Sequence, residues 1–320
     1  MADPAEPVDT SAPDTSSAVR PASALALPSA EPLALPADLV ATLVLVRHGE
    51  STFVAEGRFQ GRQDPPLSDL GIRQAALVAK RLAHRNERTP LPIPEGPPVT
   101  IWHSPLRRAA ETARSIREEQ PGAVTLRADD RLTEIAQGEW EGELLTEVRS
   151  RWPTELAAWR RTPHLSHAPG GESLRQAADR VGAALERVVA ALPRLTPTGY
   201  VYDPVPGYVP SPTESSAGEP IAIRKEGSHV ERAMPSSGGA EPWAVVVAHD
   251  GIFRLTLMSV LGIGIDRFWS LPFVLTGITV VTLHEGVAAL RAHNLSDHLE
   301  PLAIEERAAQ ESRGERRGAL

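Results

Sequence analysis

Leu43-Val44-Leu45-Val46 is an unbroken apolar run that ends at the charged pair Arg47-His48. A short β-branched run of this kind predicts a strand buried on both faces. Thr100–Trp102, Trp243–Ala248 and Ile278–Leu283 predict three more strands. Between them the period changes. Ser68 is placed to cap a helix that carries Ile72, Ala75, Ala79 and Leu82 on one face. A second helix is expected from about Pro105, because proline suits a first turn. Leu174, Ala178, Val181, Leu185, Val188 and Leu192 step by threes and fours, the clearest amphipathic helix in the chain. Strands alternating with helices predict an α/β fold, a three-layer sandwich whose mostly parallel central sheet has helices on both faces.

Outside this body the pattern fades. Residues 1–37 are mainly Ala, Pro, Ser, Asp and Glu, with apolar scraps too small to offset the entropy of ordering them. They are read as a disordered tail; early acidic charge and Pro28 argue against an export signal, so a cytoplasmic protein is expected. Residues 196–242 are rich in Pro, Ser and Gly, hold all three tyrosines, and are read as an irregular insertion. Residues 302–320 are small and charged, a frayed helix or tail. One domain over 38–301, interrupted by the insertion, is the organisation expected.

Composition removes several function classes. The formal charge of −8 lacks the basic excess that a nucleic-acid binder needs. The chain has no cysteine, which excludes disulfides, thiolate nucleophiles and cysteine-held metals. No apolar run approaches the roughly 18 residues that span a bilayer. Only two lysines, Lys80 and Lys225, occur among 33 basic residues, a bias typical of a GC-rich bacterial genome.

The chemistry gathers at strand ends. Leu43–Val46 runs into Arg47-His48-Gly49, and Val245–Ala248 runs into His249-Asp250-Gly251. Ligands of open α/β sheets bind at the carboxyl ends of the strands. If the two strands are parallel neighbours, both imidazoles reach one rim although they are 201 positions apart. Each following glycine lets the backbone turn sharply there. Arg47 beside the first histidine, and Arg107 and Arg108 past another strand, offer the planar donors that suit phosphate oxygens. Bond cleavage near neutral pH also needs a proton donor, for which Glu134 between apolar neighbours is the candidate. Glu139, Glu141 and Glu143 alternate and are read as solvated.

Arg47-His48-Gly49-Glu50-Ser51 resembles the RHG signature of the histidine phosphatase superfamily, in the branch that includes cofactor-dependent phosphoglycerate mutase. The likeness continues at Gln60-Gly61, at Asp64-Pro65-Pro66-Leu67-Ser68, and at Ser104-Pro105-Leu106-Arg107-Arg108-Ala109. It goes on through Glu134-Ile135, Gly138-Glu139-Trp140-Glu141-Gly142, Gly170-Gly171-Glu172-Ser173 and His249-Asp250-Gly251. The resemblance implies a phosphoglycerate mutase-like fold and a metal-independent phosphomonoesterase. His48 is its implied nucleophile, Arg47, Arg108 and His249 its phosphoryl clamp, and Glu134 its general acid and base. It implies no metal and no other cofactor, and a small phosphorylated metabolite as the partner. The family often places asparagine six residues after the histidine, where this chain has Val54. Ser51, Gln60 and Gly61 are therefore further candidates for holding the phosphate.

Three other readings compete. A phosphoglycerate mutase carries a longer segment between the glutamate and Gly-Glu-Ser motifs, which here are 37 positions apart. A non-catalytic phospho-ligand module does not need the intact set of His48, Arg108, Glu134 and His249. A metallohydrolase would use His48, His249 and either His103 or Asp250.

Overall fold

The computed structural model describes residues 33–87, 89–194 and 241–308. The 196–240 part of the expected insertion, with its three tyrosines, residues 1–32 and residues 309–320 lie outside the described residues. Six strands form one sheet: β1 (Val40–Arg47), β2 (Thr100–His103), β3 (Thr125–Ala128), β4 (Trp243–Ala248), β5 (Ile278–His284) and β6 (Val287–Leu295). Their spatial order is β3-β2-β4-β1-β5-β6. β3, β2, β4 and β1 are parallel, and β5 runs against both of its neighbours. The α/β class and the mostly parallel sheet agree with the hydrophobic pattern.

The helices among the described residues include α1 (Thr52–Ala55), α2 (Asp69–Ala83), α3 (Arg107–Glu119), α4 (Leu145–Arg151), α5 (Pro153–Arg161), α6 (Leu174–Ala190) and α7 (Asp250–Leu261). Alternation along the strands assigns their sides. Val44, Val46, Ile101, Val245 and Val247 pack with Val78 and Leu82 of α2 and Ala113 and Ile116 of α3. Leu43, Leu45, Trp102, Val246 and Ala248 pack with Val181 and Leu185 of α6, Phe253 of α7, and Leu156 and Trp159 of α5. Both faces are thus covered, which is why the central strands tolerate apolar residues at every position.

Ser68 caps α2 through its hydroxyl, which accepts from Gly71 N–H. Ile72, placed by its spacing on the buried face, is instead 56% exposed; Gln74, Val78 and Arg81 take that face with Ala75, Ala79 and Leu82. The helix expected from Pro105 begins two residues later, at Arg107. Residues 33–37, grouped with the tail by composition, belong to the body: Leu33 and Leu35 pack on the core and Leu33 N–H donates to Ser259 O. Residues 300–308 are helical. Among the described residues no helix is long and apolar enough to cross a membrane.

The strand order sets up the site. β4, late in the chain, inserts between β1 and β2, so the exits of three parallel strands stand side by side. Register pairs Arg47 with Ala248 and His103 with Val247. His48 N–H donates to Ala248 O and Ser104 N–H to Val247 O, both at 3.0 Å, continuing the ladder into the rim.

Candidate active site

His48 and His249 meet at that rim with ring centroids 5.0 Å apart and planes inclined by 60°. His48 is 2% exposed and His249 fully buried. His48 Nδ1 lies 2.6 Å from Gly49 O. A carbonyl only accepts, so Nδ1 carries the proton and Nε2 keeps its lone pair. His249 is held the other way round, with Nε2 2.8 Å from the Ser104 hydroxyl and a buried Nδ1 that has no partner. Burial, reinforced by the Arg108 and Arg47 guanidiniums, keeps the His48 imidazole well below its ordinary range. Burial, then Arg108, His48 and Arg47, does the same to His249. Both rings are neutral.

The glycine after each histidine answers a close approach to protein. A Cβ on Gly49 would stand 2.6 Å from Gly71 O, and one on Gly251 would stand 2.7 Å from Glu134 Oε1. Both residues let a neighbouring segment close on the rim.

Arg47 leaves β1 and donates from Nη1 to Phe273 O. Arg108, in the first turn of α3, is fully buried and donates to Gly61 O at 2.9 Å and Gln63 O at 3.0 Å. Burial brings its pKa down to about 10, so it stays charged at neutral pH. Arg47 Nε and Arg108 Nε are buried without partners, like His249 Nδ1. Three orphaned nitrogens in one place cost stability, about 1–3 kcal/mol for each N–H left unpaired, unless an acceptor meets them.

Glu134 stands opposite. Its carboxylate accepts from Ile135 N–H at 2.9 Å and Gly251 N–H at 3.3 Å. Burial, helped by Asp250 and opposed by the Ile135 amide and Arg108, raises its pKa above the usual carboxylate range. A cavity of about 410 Å³ opens here, lined by Arg47, His48, Gln60, Arg108, Glu134 and Asp250. Its lining also includes Phe59, Leu145, Leu156, Trp159 and Trp269, with Arg58 and Arg160.

Among the sequence candidates, Ser51 and Gly61 do not line the cavity. The Ser51 hydroxyl caps α1 and donates to Gln60 Oε1 at 2.8 Å, and the Gly61 carbonyl holds Arg108. His249 also sits behind the lining, against His48. Val54 does not line the cavity either. Glu141, read as solvated, is not: its carboxylate accepts from the backbone N–H groups of Arg62, Gln63 and Gln137. It thereby fixes the loop whose carbonyls grip Arg108. Glu143 pairs with Arg151 at 2.9 Å, and Glu139 is exposed. Sequence reasoning did not single out Arg160, Trp159 and Trp269, whose only signal is two tryptophans outside any strand pattern. Among the described residues no group of three or more His, Asp and Glu is arranged to hold a metal ion. Asp250, a ligand of the metallohydrolase reading, gives both its carboxylate oxygens to Arg254, at 2.9 and 3.1 Å.

A family model, the histidine phosphatase superfamily (branch 1), matches residues 43–196 and 221–296, and the chain belongs to that family. Phosphoserine phosphatase 1 of Hydrogenobacter thermophilus is 29% identical over 263 residues, covering 82% of this chain and 96% of that protein. Glucosyl-3-phosphoglycerate phosphatase of Mycolicibacterium vanbaalenii is 37% identical over 145 residues, covering 44% of this chain and 56% of that protein. The solved native structure of a mycobacterial glucosyl-3-phosphoglycerate phosphatase superposes with a TM-score of 0.56 at 25% identity, covering 81% of this chain and all of that one. Phosphoglycerate mutases also occur among the relatives. The family and its phosphatases define the class of reaction, hydrolysis of a phosphoric monoester.

Proposed function

We propose that this hydrolysis runs through a phosphohistidine on His48 and acts on a small phosphomonoester that bears a second anionic group. The observation that carries the reading is the trio of buried, unpartnered nitrogens, Arg47 Nε, Arg108 Nε and His249 Nδ1, beside a neutral imidazole. A compact oxyanion, with several lone pairs and a charge that suits two guanidiniums, meets such groups together.

In the first step His48 Nε2 attacks phosphorus, the bond from phosphorus to the ester oxygen breaks, and Glu134 gives its proton to the departing alkoxide. In the second step Glu134, now ionised, takes a proton from water, whose oxygen attacks the phosphohistidine and releases inorganic phosphate. Arg47 and Arg108 stabilise the equatorial oxygens. With the Ser104 hydroxyl donating to His249 Nε2, His249 Nδ1 holds the ring proton and donates to the same oxygens. Gln60, steadied by Ser51, adds a polar contact, and Gly61 acts by holding Arg108.

The second anion rests on Arg160. Arg47, Arg58 and Arg108 are each bound by protein oxygens, Arg58 by Glu56 and by Gly142 O. Arg160 has no such partner among the described residues and faces the cavity from α5 beside Trp159 and Trp269. The phosphoserine and glucosyl-3-phosphoglycerate named for the relatives both carry a carboxylate. Setting and boundaries complete the reading: a bacterial, cytoplasmic enzyme whose catalytic body, expected over 38–301, also takes in residues 33–37, with the 196–242 segment as an insertion. Mutase relatives favour phosphoryl transfer between hydroxyls as the second reading, but the 37-position spacing from Glu134 to Gly171 leaves little chain to exclude water.

The test is turnover of p-nitrophenyl phosphate in excess EDTA, with vanadate as inhibitor and protein denatured in alkaline detergent assayed for bound phosphate that survives base and is released by acid. Full activity in chelator, inhibition by vanadate and a label lost in His48→Ala are expected. Loss of activity in EDTA, or a label that persists in His48→Ala, overturns the reading. Phosphoserine against phosphoethanolamine tests the second anion: Arg160→Ala should raise KM about tenfold for the first alone, as expected for a lost charge-assisted contact.

A further inference from the structure

Gly170-Gly171-Glu172-Ser173 is a motif to which the mechanism gives no work. Ser173 caps α6, accepting from Gln176 N–H. Glu172, just before it, has only 10% of its side chain exposed, and one of its oxygens lies 2.7 Å from Arg180 Nε. The other lies 2.8 Å from Arg180 Nη2, so the pair is bidentate. Arg180 sits two turns along α6, with 16% of its side chain exposed. Its remaining N–H groups all reach backbone carbonyls of the segment that carries Glu134. Nη1 donates to Arg131 O and Thr133 O, each at 2.6 Å, and Nη2 donates to Glu134 O at 3.1 Å. Glu172 grips the same segment two residues further on, at Ala136. Its N–H donates to Ala136 O at 2.9 Å, and its Oε2 accepts from Ala136 N–H at 3.3 Å. Burial alone would raise the Glu172 pKa, but Arg180, Arg62 and the Ala136 amide hold it below the usual range, so the pair is ionic.

We infer that the Glu172–Arg180 pair is a positioning device for Glu134, a strut that fixes the backbone on both sides of the proton donor. The segment from Leu132 to Ala136 belongs to no strand and lacks a ladder of its own. A guanidinium with its five donors in a rigid fork replaces that ladder, clamping three carbonyls while holding both oxygens of Glu172, which the three donors of a lysine cannot do. The paired carboxylate compensates the buried cation, so that a clamp can stand near the site without a bare charge. Neither side chain lines the cavity, so the strut acts only through Glu134.

The inference rests on Glu134 being the general acid, and the experiment separates the two. Single variants Arg180→Gln, Arg180→Lys, Glu172→Gln and Glu134→Gln are compared with the double variant Arg180→Gln/Glu134→Gln, on p-nitrophenyl phosphate and on an alkyl phosphate. The alkoxide leaving group needs its proton, whereas p-nitrophenolate scarcely does. Arg180→Gln and Glu172→Gln should each lower kcat/KM, which reports the ester-cleaving step and not the later hydrolysis of the phosphohistidine, about tenfold on the alkyl ester and less than threefold on the aryl ester, since they forfeit part of what a positioned general acid gives. Arg180→Lys should fail to rescue. In the Glu134→Gln background the Arg180 change should cost nothing further. Equal loss on both esters, or an additive loss in the double variant, overturns the strut while leaving Glu134 in its role. A Glu134→Gln variant that slows both esters equally overturns the role and the strut together. Activity retained on the aryl ester certifies that each variant is folded.

Discussion

Two strand exits in this protein are written almost alike, and they are built to do different things. At the end of β1, His48 is fixed by the carbonyl of its own neighbour Gly49, a contact that any chain folding this turn makes by itself. At the end of β4, His249 is fixed by Ser104, 145 positions away on the exit of β2. The first arrangement protonates Nδ1 and leaves Nε2 as a base. The second occupies Nε2 and leaves Nδ1 without a partner. His48 lines the cavity, and His249 stands behind it as a donor. Equal desolvation therefore yields a nucleophile in one place and a stabilising group in the other, because the second nitrogen of each ring is held by a different partner.

The comparison can be broken in four places. The largest effect is expected at His48: its alanine variant should lose about three orders of magnitude or more in kcat on p-nitrophenyl phosphate, as nucleophile deletions do. A loss as small as that at His249 would erase the distinction. His249→Ala should lose about 10²–10³-fold, the usual effect of removing one transition-state donor, and should still form the acid-labile phosphate. Ser104→Ala frees His249 to take either tautomer and should cost kcat less than tenfold with no change in the position of the acid limb. A shifted acid limb would mean that Ser104 acts on His48 instead.

The smallest effect is on stability. Both imidazoles have folded pKa values well below 6.5, so between that value and their folded ones the unfolded chain binds more protons. Stability is then lost as pH falls below about 6.5, by up to about 1.4 kcal/mol per pH unit for each ring. Melting temperatures at pH 7.5 and 5.5 should show this decline, and replacing His249 with a neutral residue should reduce the slope. An unchanged slope would mean that His249 is already protonated in the fold. For activity the signs are separate. The acid limb lies below the usual imidazole range because His48 must be neutral. The basic limb lies above the usual carboxylate range because Glu134 must hold its proton.

Much of this was legible in the chain. Apolar runs located four of the six strands, and the residues just past two of them located both histidines. What escaped notice shares a physical character. β3 and β6 lie at the sheet edges and are half exposed, so their apolar signal is diluted. Glu141 looked solvated because alternating glutamates give no hint that one of them binds three backbone amides of distant loops. Arg180 looked like the polar side of an amphipathic helix, yet all five of its hydrogen bonds reach backbone or carboxylate oxygens at or around the Glu134 segment. Trp269 gave no signal until it met Trp159 at 5.7 Å on the cavity wall.

By itself the sequence determined the layers and the inventory of reactive groups, because hydrophobic periodicity and side-chain chemistry are local properties. Only the tertiary structure decided which nitrogen of each imidazole is free, which glutamate is solvated and which braces a loop, and which arginine of the cavity is left uncommitted. Those outcomes depend on hydrogen-bond partners brought together by inserting β4 between β1 and β2, and no local pattern encodes a partner one hundred and more residues away.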